Sequence, residues 1–219
     1  MQSIVWIRRD LRLHDHAALA TALQGAGAVQ PVFVFDTEIL ARFSNNNDRR
    51  LVFLAETLCH IDAQLKARGG RLLVLHGKAR EVMPKLAAAL SAQSIFSAED
   101  FEPATRARDA AVKSALPATT RFVQVLDHLI HAPQSMLKGD GTPYKVFTPY
   151  YKLWRGKLGP SDYAAYEVKD ASRYADAAAN FTAVKAAGLT RVDLDAGPAS
   201  LLEQIGYRYT KDTLWRVDD

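Results

Sequence analysis

The feature that most constrains this chain is an alternation. Short apolar runs, often β-branched, recur at residues 3–7, 30–35, 71–76, 94–98 and 121–125, with longer stretches of helical spacing between them. Each run has the length and residue types of a β-strand. Three are almost wholly apolar, as strands covered on both faces tend to be. The intervening segments predict helices. Asp15 is expected to cap a first helix that runs to about Ala22. From Asp48 to Arg68, Leu51, Leu54, Leu58, Ile61 and Leu65 follow helical spacing, and Gly69-Gly70 ends that helix. Residues 79–90 and 104–116 repeat the pattern, the latter opened by Glu102-Pro103. Strand–helix alternation at this pitch means βαβ units, and right-handed crossovers then make a parallel sheet. The expected fold is α/β, a Rossmann-like doubly wound sheet of about five parallel strands with helices on both faces. Run 3–7 should be central, flanked by 30–35 and 94–98.

The pattern changes after Val125. Residues 126–142 read as a loop with Pro133 and a Gly139-Asp140-Gly141 turn. Residues 145–158 are basic, aromatic and helical. Residues 159–198 are rich in Ala, Asp and Gly with weak periodicity, as in an arm running over a surface, and 201–219 have room for one helical turn. The expected division is a domain over 1–158 and a linker-like extension over 159–219. Composition sets outer bounds. In 219 residues, 48% are hydrophobic and 24% charged, which excludes a disordered tail, a collagen-like repeat and a disulfide-stapled miniprotein. Cys59 is the only cysteine, so no internal disulfide or cysteine-built zinc site is expected. The first residues resemble neither a signal nor a transit peptide, and no run approaches the length of a membrane span. A soluble cytoplasmic protein is expected. The net charge of +4 permits a polyanionic partner without demanding one.

In a doubly wound sheet, ligands bind outside the carboxyl ends of the strands, at the switch in strand order. The residues that follow each strand are therefore the chemical candidates. They are Arg8-Arg9-Asp10-Leu11-Arg12-Leu13-His14-Asp15, then Asp36-Thr37-Glu38, Gly77-Lys78, and Glu99-Asp100-Phe101-Glu102-Pro103. No Gly-x-Gly-x-x-Gly follows the first strand and no Walker lysine loop occurs, which argues against ordinary dinucleotide dehydrogenases and nucleoside triphosphatases. The arginine run either braces its own turn or binds an anion, and bracing is the simpler reading. His14 and His16 read as a helix start rather than metal ligands. Asp100 and Glu102 are either paired acids or caps for the next helix, with capping the plainer role. Cys59 reads as a packing residue. In 145–154, aromatics interleaved with cations can stack bases. Their spacing favours an amphipathic helix whose Phe147, Tyr150, Tyr151 and Trp154 pack on a neighbour.

Three stretches become specific as a set. Ile4-Val5-Trp6-Ile7-Arg8-Arg9-Asp10-Leu11-Arg12-Leu13-His14-Asp15-His16-Ala17-Ala18-Leu19 resembles the amino-terminal signature of the DNA photolyase and cryptochrome family. So do Glu102-Pro103-Ala104-Thr105-Arg106-Ala107-Arg108-Asp109 and Pro143-Tyr144-Lys145-Val146-Phe147-Thr148-Pro149-Tyr150-Tyr151-Lys152-Leu153-Trp154. The resemblance runs in order from about residue 3 to 158 and is nearest to bacterial class I cyclobutane pyrimidine dimer photolyases. It implies an α/β domain that holds a light-harvesting antenna, followed in the family by a larger helical domain that holds FAD and repairs DNA. The Thr-Ser-x-Leu-Ser stretch of the FAD site does not occur here. Trp6, Trp154 and Trp215 do not match the family's electron-transfer chain. The chain is therefore expected to bind no FAD and no metal, and to be non-catalytic by itself. The family's folate-binding pattern, a histidine in the loop after the second strand and Asn-Glu in place of Ala104-Thr105, is not carried. Its deazaflavin or flavin pattern, an Arg opening the second long helix and an Asp after the fourth strand, matches Arg50 and Asp100. A deazaflavin or FMN antenna is thus implied, between the loop from Asp36 to Arg50 and the turn that ends at Phe101. The implied partner is the helical FAD domain of a longer product. DNA should bind only weakly, no membrane is involved, and a homodimer is the other partner considered. Two alternatives remain, a free-standing flavin- or nucleotide-binding module and a ligand-free remnant acting as an interaction domain.

Overall fold

The computed structural model describes residues 2–168 and 173–210. Five parallel strands form as expected. They are β1 (Gln2–Trp6), β2 (Ala28–Asp36), β3 (Leu73–Gly77), β4 (Ala92–Ala98) and β5 (Arg121–Val125). A sixth, β6 (Thr190–Val192), joins them, and the order across the sheet is β5-β4-β1-β2-β3-β6. β1 is central, with Ile4 beside Gln30 on one flank and Ile95 on the other. Strand alternation divides the core in two. Val5 and Ile7 feed one face of the sheet, Ile4 and Trp6 the other, and β2 continues both series with Phe33 and Phe35 against Val32 and Val34. On the first face pack α1 (Ala17–Gln24) and α3 (Arg49–Lys66), and on the second α4 (Ala79–Ala89) together with α5 (Pro103–Ala115). Burial on both faces is most complete at β2, which reads as a continuous apolar run, and falls away at the edge strand β5.

Local capping departs from the sequence reading at α1. The cap is His16, whose Nδ1 accepts the Leu19 N–H at 3.2 Å. Asp15 instead sits at φ 46° and accepts the Tyr166 N–H at 2.9 Å. Asp, with its short polar side chain, tolerates the left-handed region. A short helix, α2 (Thr37–Leu40), follows β2 with Asp36 as its cap, and Asp48 caps α3.

The larger correction concerns the expected arm. Residues 177–204 hold α7 (Ala177–Ala186), β6 and α8 (Gly197–Gln204). β6 runs antiparallel to β3, pairing Val192 with Val74 and Thr190 with His76. Val184, Val192, Leu194, Leu201, Leu202 and Ile205 are buried in the two cores. Buried Asn180 donates from Nδ2 to Gln30 at 2.8 Å, and Arg71 bridges Asp62 on α3 to Asp195 at 3.0 Å each. At Gly70 the chain passes so close to Tyr174 that an added Cβ would lie 2.6 Å from the ring. Residues 211–219, including Trp215, lie outside the described residues.

A second correction concerns α6 (Phe147–Lys157), which buries none of its residues. Phe147, 72% exposed, stacks on Tyr151 of its own helix with ring centroids 5.7 Å apart. Trp154 meets His131 at 5.8 Å, and Tyr150 meets Tyr144, just before the helix, at 6.3 Å. The aromatic spacing is helical, but the neighbour it was expected to pack on is not among the described residues. No helix of the described residues is long and apolar enough to cross a membrane.

Candidate functional site

β1, β2 and β4 end together at the centre of the sheet, where the chain leaves β1 toward β2 but leaves β4 toward β5, the opposite way. The switch point opens a crevice there. It holds a cavity of about 350 Å³ bordered by Trp6, Asp36 and Asp100 among others. A shallower hollow of about 670 Å³ lies at the other end of the strands, between Ser91, Gln93, Pro117 and Thr120. Size alone does not make it the site, because it carries no convergent charged groups.

The floor of the central cavity is built around one carboxylate. Asp109, buried on α5, accepts both oxygens' worth of bonds from Arg8 Nη1 at 2.8 Å, one from Arg108 Nη2 at 3.0 Å and one from Gln124 at 2.9 Å. Arg8 also donates to the Ala98 carbonyl. The two guanidiniums lie over the Trp6 ring, with Cζ 5.1 Å from its centroid for Arg8 and 4.7 Å for Arg108. The arginine run after β1 therefore braces, as the simpler reading expected, but across to α5 and β4 rather than within its own turn. Arg12 does the same toward Asp127 at 2.6 Å.

The walls carry the acids. Asp36 is buried at the end of β2 and accepts the Glu38 N–H at 3.1 Å. Asp100 is buried after β4, and its Oδ1 accepts the N–H groups of Phe101 at 2.7 Å and Glu102 at 3.2 Å. Burial pushes the Asp100 carboxyl up, but these backbone donors, then the charges of Arg9 and Arg8, outweigh it and leave it below its ordinary value. It is a charged acceptor whose Oδ2 lies 3.5 Å from Arg9 Nε. Asp100 thus both shapes the turn before α5 and faces the cavity.

Of the four residues singled out in the sequence, the structure brings Asp36 and Asp100 together at the cavity. Arg50 is not brought there. Its guanidinium is held by the α3 cap Asp48 at 2.8–2.9 Å and lies over Phe43 at 4.5 Å, with the side chain 74% exposed. A carboxylate two residues away captures the arginine before it can turn inward. Phe101 is half-buried, and its backbone rather than its ring serves the site. The first part of the expected Asp36–Arg50 loop borders the cavity through Ile39 and Arg42, while its later part is tied elsewhere, since the Asn46 carbonyl accepts the Arg208 N–H at 2.6 Å. Sequence reasoning missed Trp6 and Arg108 as site residues, and Arg8, though among the candidates after the first strand, was read as a brace. The legible signal was Ala104, Thr105 and Arg108, which share one helical face.

A second cluster joins Asp10, His16 and Asp127, whose ligand atoms lie within 4.8 Å of one another. Because His16 Nδ1 accepts the α1 cap bond, the ring proton sits on Nε2, 3.1 Å from Asp10 Oδ2. That nitrogen is a donor, so the cluster reads as the anchor of α1. Burial raises the Asp10 carboxyl, and His16 with the Arg8 N–H more than reverses it, to a net value below the ordinary one. Cys59, half-buried on α3, is pushed up to about 11 by burial and by Glu56 and Asp62, which suits a packing thiol.

A Rossmann-like domain with this terminal pocket and signature is that of a known class, and residues 3–169 match the family model described as DNA photolyase. The chain belongs to the DNA photolyase family and corresponds to its amino-terminal α/β part. It is 35% identical over 162 residues to a deoxyribodipyrimidine photo-lyase of Synechococcus sp., covering 74% of this chain and 33% of that one. Among solved structures it is similar to an archaeal photolyase from Sulfolobus tokodaii described with two FAD molecules and a novel light-harvesting cofactor. That match has a TM-score of 0.60 and 28% identity, and covers 69% of this chain and 34% of the other. A class III photolyase from Agrobacterium tumefaciens gives a TM-score of 0.62 at 25% identity, over 83% and 38% of the two chains. The chain spans about a third of the length of the photolyases it matches.

Proposed function

We propose that this chain is the antenna-binding part of a photolyase-like protein, and that the cavity between Asp36, Asp100 and Arg108 takes a flavin-type chromophore, a deazaflavin or FMN. The observation that carries this reading is the convergence of two buried carboxylates on one cavity at the switch point. A planar tricycle with a ring N–H and carbonyl acceptors suits what is present. Asp100, held as an anion, accepts from the ring N–H. Arg9 and Arg42, which border the cavity, supply donors to the carbonyls in the place first assigned to Arg50. Trp6, Phe33 and Ile39 supply apolar walls. When bound, such a chromophore absorbs near-UV or blue light and passes the excitation on.

Repair of pyrimidine dimers needs a redox flavin against the lesion. We assign that task, with FAD, to a helical domain of the kind that fills the rest of the longer relatives, and predict none for this chain alone. The exposed face of α6 is the surface offered to it. Affinity for DNA is weak on this reading, and the setting is the cytoplasm.

Titration of the purified chain with FMN and with a deazaflavin, followed by absorbance and fluorescence, tests the reading. Each carboxylate bond to the ligand is worth roughly 1.5–3 kcal/mol. Asp100→Asn and Asp36→Asn should therefore weaken binding by about tenfold to a hundredfold. Arg50→Ala should leave it unchanged. A wild-type chain that takes up neither chromophore at millimolar concentration overturns the proposal.

A further inference from the structure

We propose that Tyr207 is a positioning residue for the cavity. The segment that follows α8 straps the α2 turn from behind and so holds Ile39 and Arg42 in the cavity rim. The inference rests on the flavin-type reading above and deepens it, by giving the extension a part in retaining the ligand.

The end of α8 aims the strap. Gly206 takes φ 84°, its N–H donates to the Glu203 carbonyl at 3.0 Å, and the Tyr207 N–H donates to the Leu202 carbonyl at 2.8 Å. A left-handed glycine with this pair of bonds closes a helix and turns the chain sharply. Residues 207–209 then cross α2 and α3. The Tyr207 hydroxyl donates to the Leu40 carbonyl at 2.9 Å, and its ring meets Phe43 edge-on with centroids 6.3 Å apart. The Arg208 N–H holds Asn46, and the Tyr209 hydroxyl donates to Glu56 on α3.

The turn held in this way has two sides. Leu40 and Phe43 pack with Tyr207 in the core cluster of the first sheet face. Ile39, in α2, and Arg42, just beyond it, border the cavity. A spacing of three puts each pair on one side of the turn. A helix of four residues does not hold itself in water. Asp36 ties its start through the Glu38 N–H, and Tyr207 ties its end at Leu40. The donor and the apolar wall that the rim offers a ligand therefore stand where the strap fixes their backbone.

The test joins hydrogen exchange of the free chain to FMN binding. The Arg42 and Phe43 amides donate to Ile39 and Leu40, and the Ile7 amide donates to Val32 in the central sheet. Tyr207→Ala should speed exchange at Arg42 and Phe43 severalfold more than at Ile7. It should weaken FMN binding roughly five- to thirtyfold, chiefly through faster release. Tyr207→Phe keeps the ring against Phe43 and loses only the bond to Leu40, so its loss should be about two- to tenfold. That variant also covers the case in which Tyr207→Ala does not fold. Exchange that rises equally at Ile7, or FMN affinity unchanged in both variants, overturns the proposal while leaving the flavin reading in place. A wild-type chain that binds no FMN overturns the flavin reading itself, and this inference with it.

Discussion

Two segments follow the last parallel strand, and they make opposite use of their apolar residues. Between 129 and 166, Leu129, Ile130, Leu137, Val146, Phe147, Tyr150, Tyr151, Tyr163 and Tyr166 are all exposed. Between 173 and 207, Val184, Val192, Leu194, Leu201, Leu202 and Ile205 are all buried. The first segment is the more aromatic to read, yet the second is the one that completes the fold. Apolar content alone does not say where a side chain goes. A partner must be in reach, and β3 offers the second segment an open strand edge that β6 closes. Nothing among the described residues offers the first an equivalent. The relatives are about three times as long as the part this chain matches, and the proposed helical partner would sit on this face.

The comparison is broken most directly by truncating the second segment's core. Leu202 is fully buried on α8, in the cluster that also holds Leu58 and Leu65 of α3. Leu202→Ala should destabilise the chain by about 2–5 kcal/mol, the range for removing a buried leucine side chain and leaving a cavity. Urea unfolding checks it. A loss under about 1 kcal/mol would show that the extension is dispensable, and that the five-stranded body stands without it.

A smaller effect sharpens the same point through charge. Asp195 ties the extension to the body by accepting from Lys66 at 2.6 Å and from Arg71 at 3.0 Å. Those bonds, led by the one from Lys66, hold its carboxyl below the ordinary 3.8. A depressed folded value means that the stabilisation is present above pH 3.8 and is lost as the pH falls through the folded value. Asp195 is 53% exposed, so solvent screening limits the effect to about 1 kcal/mol or less. Asp195→Asn should show that deficit at pH 7 and lose it as the pH falls through the depressed folded value. A deficit that stays constant as the carboxyl titrates would mean that the contact works by packing rather than charge.

How much of this was legible follows from the same physics. The five parallel strands and their helices were readable because the strands are short apolar runs, three of them almost wholly apolar, set between helices long enough to show a period. The extension was not, because α7, β6 and α8 are 10, 3 and 8 residues long, too short for a period to stand out. At the site, Asp36 and Asp100 were readable because strand ends fix their place. Arg50 was misplaced because an arginine's reach is long and its nearest carboxylate, Asp48, decides where it points. Trp6 was hidden in a run that strand propensity already explained, and Arg8, though a candidate, was read as a brace of its turn. Arg108 needed the knowledge that α5 turns that face toward the cavity.

The smallest expected effect lies on α6, where it also says the most. Phe147 touches mainly Tyr151, on its own helix, and α6 packs no residue into either core. Such a residue contributes to the fold only through a local side-chain pair worth about 0.2–0.5 kcal/mol. Phe147→Ser and Tyr151→Ser should therefore shift unfolding by no more than about 0.5 kcal/mol, while reducing the binding of a hydrophobic dye to the native chain. The same substitutions in a core strand would cost several times more. If either variant instead loses more than about 1 kcal/mol, α6 packs within this chain and the contrast between the two segments fails. If stability holds and dye binding falls, the aromatic face is an open surface of a finished domain, kept apolar for something that lies outside the residues described.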